Sequence, residues 1–251
     1  MKIITFATLK GGSGKTMNAF NIAGVLAENN RILLIDVDPQ CNLSSNCGID
    51  ISDPKLRTIR DVLGKSSEQQ SKPDEIIFQS PIQELSSLDI IPSSIMLFDT
   101  EMNMVNVTGR ENFLKYYIDD YREYFENHYD YIIIDTNPSM SIININAFYV
   151  ADSIILTSDV STNSISGAEL FCALWESKRK FLRKENNISA LILCQYDRRT
   201  ITPSRSFLFR LSCAAAFEKS FHQCRLSAPA SFEAYHLPFF FLFLPSCIRT
   251  S

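Results

Sequence analysis

Short apolar segments alternate along the chain with longer segments in which apolar residues recur every three or four positions. Almost unbroken apolar runs are typical of strands covered on both faces, and the recurring pattern is typical of amphipathic helices. The alternation predicts βαβ units and therefore an α/β fold with a mostly parallel central sheet and helices on both faces. The segments predicted to be strands are 3–7, 31–38, 88–92, 131–135, 153–156 and 188–196.

Two of the predicted helices begin at polar pairs that can cap a helix. Thr108 and Glu111 stand three positions apart, as in a capping box, ahead of an apolar stripe that continues to Phe125. Ser166 and Glu169 stand in the same relation ahead of another apolar stripe. We therefore expect one long helix through the first region and a second that runs to about residue 183.

The composition changes abruptly at about residue 201. Residues 201–251 contain nine of the 18 phenylalanines but no glycine, asparagine, aspartate, valine or methionine. We therefore predict two parts, an α/β domain in residues 1–200 and an atypical Phe-rich tail in residues 201–251. The tail has three interpretations: a C-terminal core segment, a membrane-associating tail, or poorly ordered sequence translated from a shifted reading frame. The abruptness of the change favours the last.

Chain length, net charge, cysteine content and the length of the apolar runs limit the classes of protein to which the chain can belong. A chain of 251 residues is long enough to bury a substantial core. Its net charge of −4 provides no global basic field, so any DNA contact requires a local basic patch. Seven cysteines without a C-x-x-C pair indicate reduced thiols and a cytoplasmic protein. No apolar run approaches the ~20 residues of a membrane-spanning helix, so a membrane partner is not expected.

Residues 10–16, Lys-Gly-Gly-Ser-Gly-Lys-Thr, lie between the first predicted strand and a helix. The glycines allow a tight turn in which successive backbone N–H groups and the helix N-terminus can face anionic oxygens. Lys15 can add a positive charge at the outer phosphates, and the Thr16 hydroxyl can reach Mg²⁺. The alternative is a glycine-rich turn with solvated lysines, but a strand, a glycine loop and a helix in this order predict a phosphate-binding loop.

Aspartates stand at the ends of two predicted strands. Asp36 and Asp38 end the second strand, and Asp135 ends the fourth. In an open parallel sheet, ligands bind at the carboxyl ends of the strands, and a phosphate site needs carboxylates to hold Mg²⁺ and to position water. Because Asp135 follows an apolar strand, we expect it to be buried where it can accept from Thr16 or from a Mg²⁺-bound water. The alternative for Asp36 and Asp38 is that they cap a turn.

Three motifs of the chain together resemble the deviant Walker A ATPases of the ParA/MinD superfamily. They are the two-lysine loop at 10–16, Asp-Val-Asp-Pro-Gln at 36–40 and Asp-Thr-Asn-Pro-Ser at 135–139. The resemblance extends from residue 1 to about residue 200 and implies a three-layer P-loop NTPase fold, with ATP and Mg²⁺ as cofactors. It also implies that Lys10 reaches the nucleotide of a partner subunit, so that the ATP-bound protein is a homodimer.

The resemblance implies a role for each matching residue. Lys10 and Lys15 would stabilise phosphate charge, and Asp38 would orient the attacking water as the third catalytic residue. Asp135 and Pro138 would belong to the second switch, which responds to loss of the γ-phosphate. The residues implied in metal binding are Thr16, Asp36 and Asp135. Those implied in nucleotide binding are Gly11, Gly12, Ser13, Gly14, Lys15, Thr16 and Met17, the last standing where the family usually has a second threonine.

The function implied is that of a ParA-like ATPase of plasmid or chromosome partition, nucleoid-associated, which binds nonspecific DNA as an ATP dimer. A ParB-like partner is expected to stimulate hydrolysis. Arg199 is the candidate DNA contact, with pairing to Asp197 or helix capping as its alternative roles. Two other functions stay open: a MinD-like membrane-cycling ATPase, and a degenerate nucleotide-binding regulatory relative without activity, which Met17 and the atypical tail favour.

Overall fold

The computed structural model describes residues 1–65, 67–159, 161–194 and 240–243. The chain divides into two units, Met1–Phe6 with Lys15–Asp152, and Ala7–Gly14 with the chain from Ser153 onward. The strands are β1 (Lys2–Ala7), β2 (Ile32–Asp36), β3 (Leu88–Ile91), β4 (Tyr131–Asp135), β5 (Ser153–Asp159), β6 (Ile188–Cys194) and β7 (Phe240–Phe243). The α-helices are α1 (Lys15–Ala27), α2 (Asn42–Asn46), α3 (Pro73–Ile76), α4 (Leu97–Asn103), α5 (Phe113–Asp120), α6 (Arg122–His128), α7 (Ile142–Val150) and α8 (Thr162–Phe181). Single 3₁₀ turns span Ile59–Asp61, Ser67–Gln69 and Arg110–Asn112.

In the first unit, four parallel strands are arranged in the order β3-β2-β4-β1. Every position of β2 is buried, as expected for a strand covered on both faces. Asp36 at the end of β2 is aligned with Asp135 at the end of β4. The parallel register therefore brings these two strand-end carboxylates to the same edge of the sheet.

Helix α1 packs on this sheet through small side chains. Ala19, Ala23 and Ala27 are buried and recur at a spacing of four, so they share one face of the helix. The helix begins at Lys15, directly after the glycine loop, and its buried face contacts β2, β3 and β4. Its packing therefore fixes the N-terminal turn, including Lys15, next to the strand ends that carry the aspartates.

The second unit is built on β5 and β6, which are parallel to each other. β7 pairs with β6 in the antiparallel direction, with Ala190 opposite Phe243. Helix α8 contacts β5, and its Trp175 is fully buried. The Trp175 indole N–H donates to Asn187 Oδ1 at 2.9 Å, which satisfies the polar atom of this large apolar side chain.

The predicted single helix through residues 108–125 is wrong. Gly109, in the left-handed conformation with φ of 71°, precedes the first turn, so Thr108 does not cap it. The region contains a 3₁₀ turn followed by α5 and α6, which are separated at Tyr121. The backbone of Tyr121 leaves the helical conformation, with φ of −110° and ψ of 26°, and Asp119 at the end of α5 pairs with Arg122 at the start of α6.

Helix α8 begins four residues before the predicted start at Ser166. The Ser161 side chain accepts the Ser164 backbone N–H and caps the helix there. A serine at the N-cap satisfies one of the free N–H groups of the first turn, so the earlier serine takes the role that the sequence pattern assigned to a later one.

The predicted α/β class with mostly parallel strands is confirmed, since every described strand pair other than β6–β7 is parallel. No helix in the described part of the chain is long and apolar enough to cross a membrane. Residues 201–251, apart from β7, lie outside the described residues, so the division at residue 200 stays a prediction. Arg199 also lies outside them.

Candidate active site

The glycine loop at 10–16 joins β1 to α1. Gly12 and Gly14 have φ values of 76° and 80°, a left-handed conformation in which other residues are strained. A side chain at Gly11 or Gly12 would meet no atom within 4 Å, so open space lies in front of the loop. The loop thus has the backbone conformation and the free volume that a phosphate group requires.

Lys10, at the start of the loop, is bound to residues of its own chain. Its Nζ donates to Asp159 Oδ2 at 2.7 Å and to Ser161 Oγ at 3.0 Å. Burial raises the pKa of the Asp159 carboxyl, but the hydrogen bonds from Lys10 and Ser161 outweigh this effect and hold the pKa well below its usual value. Asp159 is therefore ionised at neutral pH and forms an ion pair with Lys10.

Ser13, in the middle of the loop, is buried. Its hydroxyl lies 3.0 Å from that of Thr157 in β5, so a side-chain hydrogen bond ties the loop to this strand. The side chain of Ser13 thus helps to position the loop.

Asp135 is the side chain whose environment best fits a metal or nucleotide site. It is completely buried, and neither of its carboxylate oxygens makes a hydrogen bond of normal geometry within the described residues. Burial raises its pKa to about 6, and the charge of Lys15 and the nearby Thr16 hydroxyl limit the rise. Lys15 is itself 7% exposed. A buried carboxylate with open oxygens beside a lysine and a threonine fits Mg²⁺, or water bound to it, together with a phosphate.

The described residues contain no group of three or more His, Cys, Asp or Glu side chains that could hold a metal ion. Mg²⁺ in nucleotide sites is usually bound through one or two protein ligands, the substrate phosphates and water. Thr16 and Asp135 are the predicted ligands that the structure brings together in the first unit.

Asp36 is fully buried and uses both carboxylate oxygens within the protein. Oδ2 accepts from the Ser44 backbone N–H at 2.9 Å and from its hydroxyl at 2.7 Å, and Oδ1 accepts from the Asp38 backbone N–H at 3.0 Å. Burial, followed by the charge of Asp135, raises its pKa to about 7. Three donors occupy most of its acceptor positions, so Asp36 is placed to fix the turn after β2 and has little capacity left for a metal.

Asp38 is held in that turn by hydrogen bonds to its side chain and to its backbone carbonyl. Its Oδ1 accepts from the Gln40 backbone N–H at 2.9 Å, and its carbonyl oxygen accepts from the Ser93 hydroxyl at 2.7 Å. The Ser93 backbone N–H in turn donates to Ser44 Oγ at 2.9 Å. The aspartate predicted to orient water therefore belongs to a buried hydrogen-bond network that begins at Asp36.

The segment around Pro138 is held by a residue that the sequence analysis missed. Asn144 of α7 is buried, and its Nδ2 lies within hydrogen-bonding distance of Asn137 O (2.9 Å), Asn137 Oδ1 (2.7 Å) and Ser139 O (2.9 Å). The signal available in the sequence was an asparagine in the apolar run 142–148, since a buried polar side chain requires partners.

Met17 lies in the first turn of α1 with 54% of its surface exposed. An exposed methionine offers no hydroxyl to a phosphate. The lost polar contact that the sequence implies at this position therefore stays a prediction.

The family model described as an AAA domain matches residues 1–189. Soj, the sporulation initiation inhibitor protein of Bacillus subtilis, is 31% identical over 200 residues, which cover 79% of this chain and 74% of Soj. The chain belongs to this family, the ParA/MinD type of P-loop ATPases. Two uncharacterised Mycobacterium tuberculosis relatives are 30% identical, and the chain spans 63% of their length.

Solved structures share the fold of this chain. The apo form of McdA from Cyanothece superposes with a TM-score of 0.74, at 23% identity, over 86% of this chain and 82% of that chain. A putative plasmid partition protein of Borrelia burgdorferi bound to AMPPNP has a TM-score of 0.66 at 27% identity, over 84% and 79% of the two chains. The predicted P-loop NTPase fold is confirmed.

Proposed function

We propose that this ParA/MinD-type chain is a Mg²⁺-dependent ATPase that acts in plasmid or chromosome partition. The observation that carries the proposal is Asp135, a buried carboxylate with open oxygens beside Lys15 and Thr16 at the start of α1. A side chain in this state is costly to bury unless a ligand completes its coordination. Mg²⁺–ATP supplies the positive charge and the phosphates that this arrangement lacks.

The reaction proposed is transfer of the γ-phosphoryl group to water. Mg²⁺, when bound, neutralises charge on the phosphate oxygens. Thr16 and Asp135 hold it, directly or through water, and Asp36 supports them from the turn behind. Lys15 stabilises the charge that develops on the phosphate, and Asp38 orients the attacking water.

The ATP-bound form proposed is a homodimer in which Lys10 contacts the nucleotide of the partner subunit. The family resemblance supports this role, and so does the position of Lys10 at the start of the loop, with 38% of its side chain exposed. Lys10 is bound to Asp159 in the single chain, so it must leave that carboxylate before it can act across an interface.

Partition requires partners beyond the nucleotide. We propose that the dimer binds nonspecific DNA, with Arg199 as a contact, and that a ParB-like protein stimulates hydrolysis. Support comes from relatives named as chromosome partitioning proteins ParA, at 28% identity in Caulobacter vibrioides. Binding through phosphate contacts should weaken steeply as salt is raised.

The test has two stages, of which the first measures ATP turnover of the full chain with Mg²⁺ and with EDTA. We expect slow, Mg²⁺-dependent turnover that falls by about 100-fold or more in Lys15→Ala and in Asp38→Ala, as for loss of a charge-stabilising or water-positioning group. Asp38→Ala should still bind nucleotide. Failure of the unaltered chain to bind nucleotide would favour the degenerate regulatory relative, and Met17→Thr would then show whether the methionine is responsible.

The second stage is co-sedimentation with DNA and with anionic liposomes, in ATP or ADP. ATP-dependent, salt-sensitive pelleting with DNA supports partition. Pelleting with liposomes alone would contradict it and favour a MinD-like membrane cycle.

A further inference from the structure

A groove of about 570 Å³ lies on the first unit, away from the phosphate loop in the sequence. It is lined by residues of two segments, 51–61 and 94–96, and we call it the basic groove. Its volume falls within the range of about 300–1,000 Å³ that is usual for ligand sites. None of the residues assigned to the nucleotide site lines the basic groove, so it is separate from that site.

The basic groove carries positive charge that the protein does not neutralise. Lys55 and Arg60 are exposed and make no ion pair within the described residues. Asp61, by contrast, is already paired with Lys65 at 3.0 Å and accepts the Thr58 backbone N–H. The remaining acid, Asp53, accepts the backbone N–H of Lys55. Arg57, the third basic residue of the lining, pairs with Asp61 at 4.0 Å. Within the described part of the chain, the lining therefore has two basic side chains without an ion pair, Lys55 and Arg60, and one such acid, Asp53.

Apolar side chains at the same place are exposed to solvent. Ile51, Ile95 and Met96 line the groove and have 48%, 58% and 40% of their surfaces exposed. The exposure continues along α4 through Phe98 and Met102, which are 50% and 74% exposed. Single exposed apolar residues are common, but a contiguous patch beside a groove is typical of an interaction site, and exposed methionines are typical of peptide-binding surfaces.

The apolar residues form one stripe of a helix. Ile95, Phe98, Met102 and Val105 are spaced by three, four and three positions, and backbone hydrogen bonds from Phe98 to Ile95 and from Val105 to Met102 extend the helical turns beyond α4. At a rise of about 1.5 Å per residue the stripe is about 15 Å long, which is more than a small molecule covers and about the length of five extended residues. The surface therefore suits a peptide.

We propose that the basic groove and the stripe on α4 form a docking site for an acidic segment of a partner protein that carries apolar anchors. The carboxylates of such a segment pair with Lys55 and Arg60, and its leucine or phenylalanine side chains pack on Ile95 and Phe98. Charge complementarity steers the encounter, and burial of the apolar anchors supplies most of the affinity.

The docking site is joined to the carboxylates by the buried hydrogen-bond network. Its 94–96 edge directly follows Ser93, which donates to the Asp38 carbonyl and to Ser44. Ser44 in turn donates to Asp36. An occupant that shifts this edge will therefore alter the position of Asp38, a consequence that rests on the proposed ATPase function, whereas docking itself does not.

The test uses a fluorescent ten-residue peptide that alternates glutamate with leucine and phenylalanine, and a control peptide in which lysine replaces every glutamate. We expect the acidic peptide to bind the full chain saturably and the basic peptide to bind at least tenfold more weakly. The double variant Lys55→Glu/Arg60→Glu should bind the acidic peptide about tenfold or more weakly than the unaltered chain does. It should bind the basic peptide more tightly than the unaltered chain does. Ile95→Ser should lower the affinity for the acidic peptide, but this variant should still prefer the acidic peptide to the basic one.

Two matched controls lie outside the groove. Lys2→Glu changes an exposed lysine of β1, and Val25→Ser changes an exposed apolar residue of α1, so both should leave peptide binding unchanged. Equal binding of the two peptides, or acidic-peptide binding that ignores the groove variants, would overturn the proposal, as would preferential binding of a short DNA strand. Peptide binding without any change in ATP turnover would leave docking standing and contradict the coupling through Ser93.

Discussion

At the scale of single residues, the buried carboxylate of Asp135 lowers the stability of the nucleotide-free fold. Asp135 is completely buried without a hydrogen-bond partner of normal geometry in the described structure, and its pKa is raised from 3.8 to about 6. A shift of about two units corresponds to about 3 kcal/mol against the ionised form, before relaxation. In the proposed Mg²⁺–ATP complex the carboxylate would gain a partner, so the protein would give up some stability in exchange for ligand binding.

Asp135→Asn should therefore raise the stability of the nucleotide-free protein and reduce its response to ligand. Because burial raises the folded-state pKa above the unfolded one, the charged form opposes folding above about pH 6, and both states are protonated below about pH 4. The gain should be about 1 kcal/mol at pH 8, since asparagine also lacks partners, and should vanish toward pH 4. Thermal unfolding with and without Mg²⁺–ATP measures both effects. An equal ligand-induced rise in Tm in the two proteins would show that Asp135 does not serve the nucleotide.

At the scale of elements, the sequence predicted most of the strands because each is an apolar run with a clear polar end. It also predicted that Asp36 and Asp135 would share an edge, which follows from parallel register. It misplaced helix ends, because capping depends on which of several serines and threonines meets a free N–H, as at Ser161. It could not predict that Ser44, which lies eight residues along the chain in α2, would donate two hydrogen bonds to Asp36.

Helix α7 offers a test of how one element fixes the segment after β4. Asn144→Ala removes the donor shared by Asn137 and Ser139, and we expect the free energy of unfolding to fall by about 1 kcal/mol because partly buried acceptors of these two residues lose a hydrogen bond. Asn146→Ala is the matched control, since this asparagine is also buried in α7 but donates to Arg110 O and Ile142 O. Urea denaturation should show a lower free energy of unfolding for both variants than for the unaltered chain. Faster amide exchange at Ser139 is expected for Asn144→Ala alone, and equal exchange in the two variants would contradict the assignment.

At the scale of the whole molecule, the proposed homodimer raises the question of what restrains its formation. Lys10 is the residue through which the proposed dimer would share its nucleotides, and in the single chain it is paired with Asp159 at 2.7 Å and with Ser161. Breaking a charge-assisted pair costs energy, although partial exposure of Lys10 reduces the cost to about 1 kcal/mol. This contact therefore opposes dimerisation until the partner's nucleotide offers Lys10 more negative charge than Asp159 does.

Asp159→Asn should accordingly favour the dimer. Removing the carboxylate charge lowers the cost of releasing Lys10, and a change of about 1 kcal/mol corresponds to about a fivefold tighter dimer at saturating ATP. Sedimentation velocity with ATP measures the dimer constant, and Lys10→Ala is the control, expected to remain monomeric because it has nothing to contribute across the interface. Ser161→Ala should shift the constant in the same direction but less, since its bond to Lys10 carries no full charge. An unchanged constant in Asp159→Asn would mean that the pair does not restrain dimerisation, and a weaker dimer would mean that Asp159 supports the interface.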